Sequence, residues 1–284
     1  MNHIFNPGQL HITLITIMLA TAFICFLVSE ITRNYSQVDK LWSLMPVIYS
    51  LVAYSANPSP RLGIMCVLVA IWGFRLSFNF YRKGGYNIVP WRGEEDYRWK
   101  ILRQHPAFKG RVRFGLFNLF FISFYQNLLI LLFSSPVILV SQYPGSNLNV
   151  MDIFASSLML LFIIIETVAD NQQFRFHKLK RQPQNAGGQY SESLKRGFLS
   201  EGLWSHVRHP NFIAEQCVWI SFYFFSAAAS GKLINWTLAG PLLLILLFLG
   251  STQMTENISS KKYPGYAAYR KDVPKFIPRL IRKH

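Results

Sequence analysis

Asn211 and Glu215 stand four residues apart at the head of an apolar run, just behind Gly202-Leu203-Trp204-Ser205-His206-Val207-Arg208-His209-Pro210. On a helix they share one face, and Trp219 follows a turn later. Glu166, Asp170, Gln173 and His177 form a second stripe of this kind, at i, i+4, i+7 and i+11, where another apolar run ends. Burying an amide or a carboxylate at a membrane surface costs on the order of several kcal/mol unless it meets a partner. Such groups exchange hydrogen bonds with sugar hydroxyls and carboxamides, and Arg175, Lys178, Lys180, Arg181 and Arg208 nearby can neutralise phosphates. The two stripes therefore predict a site for a phosphorylated nucleotide.

Those side chains have to be positioned by membrane helices. The chain has 284 residues, 51% hydrophobic and 15% aromatic, and carries seven apolar stretches near the ~20 residues that a bilayer-crossing helix needs. The spans are predicted at 10–31, 41–56, 62–81, 114–140, 150–169, 212–230 and 233–252, the second short and the fourth long. This is the pattern of an all-α, polytopic membrane protein of about seven transmembrane helices. The first span has neither a basic leader nor a small-residue cleavage site and reads as a retained helix. No repeat, low-complexity tract or linker divides the chain, so 1–284 reads as a single membrane domain.

The formal net charge of +16 raises the possibility of nucleic acid as a partner, but the distribution of the cations argues for a membrane instead. All Lys and Arg except Arg61, Arg75 and Lys232 fall in the alternate segments 32–40, 82–113, 170–211 and 253–284. By the positive-inside rule this puts the N-terminus outside and the C-terminus in the cytoplasm, as an odd number of crossings requires. The basic loops suit anionic lipid headgroups or a cytosolic phosphorylated cofactor. Cys25, Cys66 and Cys217 all lie in apolar spans without metal-ligand spacing, and the seven histidines form no HExxH pair, so neither disulfides nor a metal is expected. No Gly-x-Gly-x-x-Gly or Walker loop is present, and a nucleotide would have to be held between helices.

Two polar loops frame the predicted site. In 82–113, Gly84-Gly85, Pro90 and Glu94-Glu95-Asp96 mark turns around a short helix over 96–105, which either caps a cavity or is an ordinary solvated connector. The loop 170–211 begins as a helical extension, breaks at Pro183 and Gly187-Gly188, and re-enters the membrane at Pro210. Proline suits the first turn of a helix, with His209 beside the cap. Glu30, Asp39, Lys40, Arg75, Glu166, Asp170, Asn211, Glu215 and Glu256 all map to the cytoplasmic leaflet. They read either as the lining of a cavity where a water-soluble cofactor meets a lipid-soluble substrate, or as snorkelling and salt-bridged helix ends. For Asp39 the second reading is an ion pair with Lys40 or Arg75.

The segment Gly202 to Glu215, with its Gly-Leu-Trp, Arg-His-Pro-Asn-Phe and Glu, resembles the C-terminal signature of the steroid 5-alpha-reductase and sterol-reductase superfamily. The tail from Glu256 through Lys262-Tyr263-Pro264-Gly265-Tyr266 to Phe276-Ile277-Pro278 is similar to that superfamily's ending. Asp39 and Trp42, Arg75 in Trp72-Gly73-Phe74-Arg75-Leu76, and Glu94 to Trp99 resemble its little-characterised bacterial branch. The resemblance implies a seven-helix oxidoreductase that holds NADPH between its last helices. Its reaction would be reduction of a carbon–carbon double bond conjugated to a ketone, in a steroid-like, isoprenoid or fatty substrate. Residues 1–140 would then form the substrate side and 150–284 the cofactor side. Cofactor positions are implied at Asp170, His177, Asn211 and Glu215, and Glu166, Arg181, Trp204, Arg208, His209, Glu256 and Tyr266 complete the candidate set.

For catalysis the resemblance points to Asp39, Trp72 and Arg75. Trp72 stands where the steroid enzymes have a tyrosine, and an indole N–H donates a hydrogen bond but cannot supply a proton as a phenol can. Asp39 as the acid must be protonated, which burial achieves by raising its pKa. The Arg-His-Pro motif is also similar to that of isoprenylcysteine and phospholipid methyltransferases, which hold S-adenosylmethionine between membrane helices. Asn211 after the proline, the Asp170 stripe and the basic residues favour NADPH. A non-catalytic lipid-binding protein is the third reading. The membrane is expected to be a bacterial inner membrane or an endoplasmic reticulum. The small residues Ala227-Ala228-Ala229 and Gly231 permit close helix packing and leave the oligomeric state open.

Overall fold

The computed structural model of the chain describes residues 7–87, 89, 92–181 and 191–278, and every regular element among them is helical. In chain order the helices are α1 (Leu10–Thr32), α2 (Gln37–Leu41), α3 (Met45–Ala56), α4 (Pro60–Arg82), α5 (Tyr97–Gln104), α6 (Arg111–Ser134), α7 (Pro136–Ser141), α8 (Val150–Lys180), α9 (Ser191–Arg196), α10 (Pro210–Ser230), α11 (Ala239–Lys262) and α12 (Tyr266–Asp272). α1, α4, α6, α8, α10 and α11, the last with the turn Trp236–Leu238 before it, are long and apolar enough to cross a bilayer, and α3 is a shorter apolar helix. Large apolar side chains such as Phe23, Phe74, Ile164 and Leu246 stand exposed on the outer faces, where lipid tails cover them. The protein is a polytopic helical membrane protein.

The boundaries differ from the sequence expectation where turn chemistry intervenes. The second span begins at Met45 and not at 41, because α2 ends at Leu41 and a turn through Trp42–Leu44 precedes Pro46 in the first turn of α3. The fourth divides at Ser135: Pro136 has no N–H to continue the ladder and opens the separate helix α7. α8 runs unbroken for 31 residues, so the fifth span and its polar extension are one rod. The seventh starts later than 233, since the Asn235 side chain caps the turn at Trp236. The turns expected at Pro90, Pro183 and Gly187-Gly188 lie outside the described residues.

The chain divides into two compact units. Residues up to Ser156 together with Ser221–Leu242 form unit 1, and Ser157–Ile220 with the residues from Leu243 onward form unit 2. In unit 1, α1 buries Leu14, Met18, Ala22, Cys25 and Ser29 along one face, and it packs on α3 and α6. A Cβ on Gly240 would stand 2.2 Å from the Leu132 carbonyl oxygen, so glycine is what lets the start of α11 lie against the end of α6. Within α6, residues Asn118–Tyr125 are wound as a π-helix, and Ser123 Oγ donates to Asn118 Oδ1 (3.2 Å), five positions back.

The far end of unit 1 is closed by one buried ion pair. Arg61, in the first turn of α4, donates from Nε and Nη2 to the two oxygens of Asp152 in the first turn of α8 (2.7 and 2.8 Å). Its remaining donors reach the Asn147 carbonyl at 2.7 Å and the Ser146 hydroxyl, so the α7–α8 loop is wrapped around the guanidinium. Arg61→Ala is expected to lower stability by about 3–5 kcal/mol by stranding Asp152 in the interior, whereas the double replacement Arg61→Met with Asp152→Leu should restore most of it. Unfolding curves of the detergent-purified variants measure both.

Candidate functional site

The Gly202 signature is built as a hook in unit 2. Gly202 has φ +64°, and its missing Cβ leaves room for the Gln172 side chain, whose Oε1 accepts from Leu203 N at 3.0 Å. The turn Gly202–Ser205 then buries Trp204, which donates from Nε1 to the Ala169 carbonyl on α8 (3.3 Å) and receives the Tyr269 hydroxyl on its own carbonyl (2.5 Å). α10 begins at Pro210, as its lack of an N–H favours.

Arg208, His209 and the tail converge on Glu256. This carboxylate sits fully buried in α11. Its Oε1 accepts from Arg208 Nε at 2.7 Å and lies 3.0 Å from His209 Nε2, while Oε2 faces Arg270 Nε at 3.3 Å. Arg208 Nη1 caps the C-terminal end of α12 through the carbonyls of Arg270 (2.9 Å) and Val273, and Arg208 N donates to Pro274 O (2.9 Å). Phe198, Tyr266 and Tyr269 pack together beneath this clamp. Burial, reinforced by Glu256, pushes the Tyr266 hydroxyl up to about 12.

The two polar stripes meet. Asn211 Nδ2 donates to Asp170 Oδ1 at 3.3 Å, joining α10 to α8. Glu166, Asp170 and Glu215 are buried, and Glu215 accepts from Trp219 Nε1, one turn further along α10, at 3.0 Å. Asn211 Oδ1 is buried with no hydrogen-bond partner among the described residues. Beyond Gln173, α8 emerges: His177 is exposed beside Gln173 (3.2 Å), and Arg175, Lys178 and Arg181 are open to solvent. Lys180 is committed to the Gly197 carbonyl and to Tyr263 Oη.

In unit 1, Asp39 lies under the loop that carries α5. That loop is stitched down and is not a free connector. Asn34 Nδ2 donates to Gly93 O (3.0 Å), Tyr35 N to Glu95 Oε1 (2.9 Å) and Asp96 N to Ser36 Oγ (2.9 Å). Asp96 caps α5 and holds Arg98 in a fork (2.9 and 2.7 Å), and the buried Trp99 donates from Nε1 to Asp39 Oδ2 at 3.1 Å. Desolvation, reinforced by the neighbouring Asp96 charge, raises the Asp39 pKa against the opposing pull of Arg98 and hydrogen bonds from Ser36 and Trp99. Burial works against ionised Asp96 too, but the Arg98 guanidinium bonded to it prevails and holds it below the usual carboxylate range.

A family model for a protein of unknown function, DUF1295, matches residues 25–273, from within α1 to just past α12. The chain belongs to the DUF1295 family. An uncharacterized protein of Schizosaccharomyces pombe is 39% identical over 271 residues, covering 90% of this chain and 76% of that protein. No solved structure matches the chain.

In this DUF1295 chain the candidate residues fall into three groups. Asp170 and the half-buried Asn211 are bonded to each other, Glu166 and Glu215 are buried one turn along the same two helices, and Trp204, Arg208, His209, Glu256 and Tyr266 belong to the clamp beside them. His177 and Arg181 lie on the solvent-exposed end of α8. Of the catalytic candidates, Trp72 is fully buried in α4, Arg75 is half-buried a turn later, and Asp39 is acted on by Ser36, Asp96, Arg98 and Trp99, while its charge bears on Lys40. Lys40 Nζ is held by Gln37 Oε1 (3.3 Å) and the Arg92 carbonyl (3.2 Å). Sequence reasoning did not single out Gln172 or the role of Trp99. Gln172 lies off the i, i+4, i+7 stripe, and the pairing of Trp99 spans 60 residues.

Two outcomes follow from these contacts. Glu256→Gln should cost about 3–5 kcal/mol by leaving the Arg208 guanidinium buried without its counter-charge, read as a lower unfolding midpoint and faster proteolysis of the tail. For Asp39 the raised pKa means that the folded chain keeps a proton the unfolded chain has lost. Its contribution to stability is thus full below the ordinary carboxylate value and disappears as pH rises through the raised folded value. Asp39→Asn, a stand-in for the neutral acid, should flatten that decline in a thermal-unfolding series against pH, whereas an unchanged slope would assign it to another group.

Proposed function

We propose that the protein is a membrane-embedded, NADPH-dependent reductase of a carbon–carbon double bond conjugated to a ketone in a lipophilic substrate. The observation that carries this reading is the junction of the two stripes, where the half-buried Asn211 amide meets the buried Asp170, and the buried Glu166 and Glu215 lie one turn along the same two helices. Carboxylates and an unfilled amide oxygen ask for hydroxyl and amide hydrogens, which ribose and a carboxamide offer. Phosphates, repelled by those acids, suit the exposed Arg175, Lys178 and Arg181 further along the same helix. The resemblance of the Gly202–Glu215 segment and the tail to steroid 5-alpha-reductases and sterol reductases points the same way, and the signature and tail are tied together through Glu256.

Bound NADPH would supply a hydride for the β carbon of the enone. The chain's own part is to hold the cofactor's polar groups at Asp170, Asn211 and Glu215 and to stabilise oxyanion charge on the ketone. A protonated Asp39 donates a hydrogen bond of the required kind, and desolvation favours that protonated form. The resemblance to the steroid enzymes implies Asp39 as the acid, since the Trp72 indole can donate but has no acidic proton to give. Steroid-like, isoprenoid and fatty enones all remain candidate substrates.

Equilibrium binding to detergent-purified protein tests the reading. NADPH should bind saturably, and Asn211→Ala and Glu215→Ala should each weaken it by about tenfold or more, the equivalent of ~1.4 kcal/mol, with unfolding midpoints confirming that both variants are folded. Saturable binding of S-adenosylmethionine in place of NADPH would instead establish a methyltransferase. Binding of neither would favour a non-catalytic lipid-binding role.

A further inference from the structure

The outer face of α6, in unit 1, carries an apolar row beneath a basic head. Val112, Leu116, Phe120 and Phe124 recur every four residues and are 74, 52, 64 and 38% exposed, so they line up along one outward face. Such a row winds slowly around an α-helix, and the wider turns of the π-helical stretch Asn118–Tyr125 take up part of that drift. Beside the row, Phe117, Phe121 and Tyr125 stack ring on ring with centroids 5.0 and 5.3 Å apart. These half-buried rings give the row a flat wall on one side. The shape suits an extended hydrocarbon chain.

The head of the row is charged. Arg111 and Arg113 flank Val112 in the sequence, and at about 100° per residue they stand on either side of it. Lys109 precedes them across Gly110, and the Phe108 ring packs on Phe117 at 4.4 Å, which holds this end of the loop against the first turns of α6. All three cations are exposed, and no ion pair among the described residues engages any of them. The neighbouring acids are already answered. Glu30, which lies against Gly115 of α6, accepts from Asn118 Nδ2 and from Arg33 Nη1 at 3.0 Å each, and Glu95 is paired with Arg103.

Three positive charges without a counter-charge, set at the top of an apolar row, fit a molecule with an anionic head and a hydrocarbon chain. A soluble anion would gain nothing from the row, and a zwitterionic lipid would bring an ammonium group among the cations. The positive-inside rule puts this end of α6 at the cytoplasmic leaflet, where anionic phospholipids are found. We propose that Lys109, Arg111 and Arg113 bind the headgroup of an anionic phospholipid whose acyl chain lies along Val112, Leu116, Phe120 and Phe124. The site concerns unit 1 alone and stands whether or not unit 2 holds a dinucleotide.

The test uses the full chain in phosphatidylcholine nanodiscs containing a trace of phosphatidylglycerol or of phosphatidylcholine, each with the same photoreactive acyl chain. Phosphatidylglycerol should label the peptide that carries residues 112–124 about tenfold more strongly than phosphatidylcholine, and the preference should shrink as salt is raised. Arg111→Gln combined with Arg113→Gln should bring phosphatidylglycerol labelling down to the level of phosphatidylcholine. Labelling by phosphatidylcholine, which reports the apolar row, should stay unchanged in that variant and so show that the helix is in place. Arg111→Lys with Arg113→Lys keeps the charge and should keep the preference. Equal labelling of the wild-type chain by the two lipids, or an undiminished preference in the double Gln variant, would overturn the proposal. Loss of the preference on adding inorganic phosphate would overturn it as well and assign the cations to a soluble anion.

Discussion

The carboxylate of Glu256 is the point on which unit 2 is hung. One buried anion gathers Arg208, His209 and Arg270, and Arg208 in turn carries the carbonyls that close α12. A buried charge is tolerated only when its partners are close and complete, so these residues cannot drift independently. The consequence is felt one turn away. His209 immediately precedes Pro210, the start of α10, and the Asn211 amide that meets Asp170 is the second residue of that helix. The clamp thus fixes where α10 begins, and through it the pairing of the two polar stripes.

The same rule operates in unit 1 with other residues. An apolar bundle in lipid has no water to satisfy stray polar groups, so each must be answered from within. Arg61 is answered completely by Asp152 and the α7–α8 loop. Asp39 is answered by Trp99, and the loop bearing Trp99 is in turn held by Asn34, Tyr35 and Ser36. The acid is left beside Asp96 in a setting that favours its protonated form.

These arrangements separate support from recognition. Arg208 and His209 direct their side chains to Glu256, and Arg208 also to backbone carbonyls, which suits a role in holding the site rather than touching a cofactor. Asp170, Asn211 and Glu215 lie on the faces that the clamp positions, and Asn211 retains an unfilled acceptor. The division gives the reductase proposal a practical form: variants of the clamp should act through stability, and variants of the cluster through ligand affinity.

Periodicity and local chemistry made much of this legible in the sequence by itself. Apolar runs near bilayer length specify membrane helices because a backbone in lipid must satisfy its own hydrogen bonds. The i, i+4 spacing of Asn211 and Glu215 placed them on one face, and Pro210 marked the helix start. Turn chemistry was read less well: the break at Ser135-Pro136 and the turn at Trp42–Leu44 shortened spans that composition alone had extended. Only the tertiary structure decided which charges answer which. Arg61 and Asp152 are 91 positions apart and Arg208 and Glu256 are 48 apart, and nothing in a one-dimensional pattern couples residues at such separations.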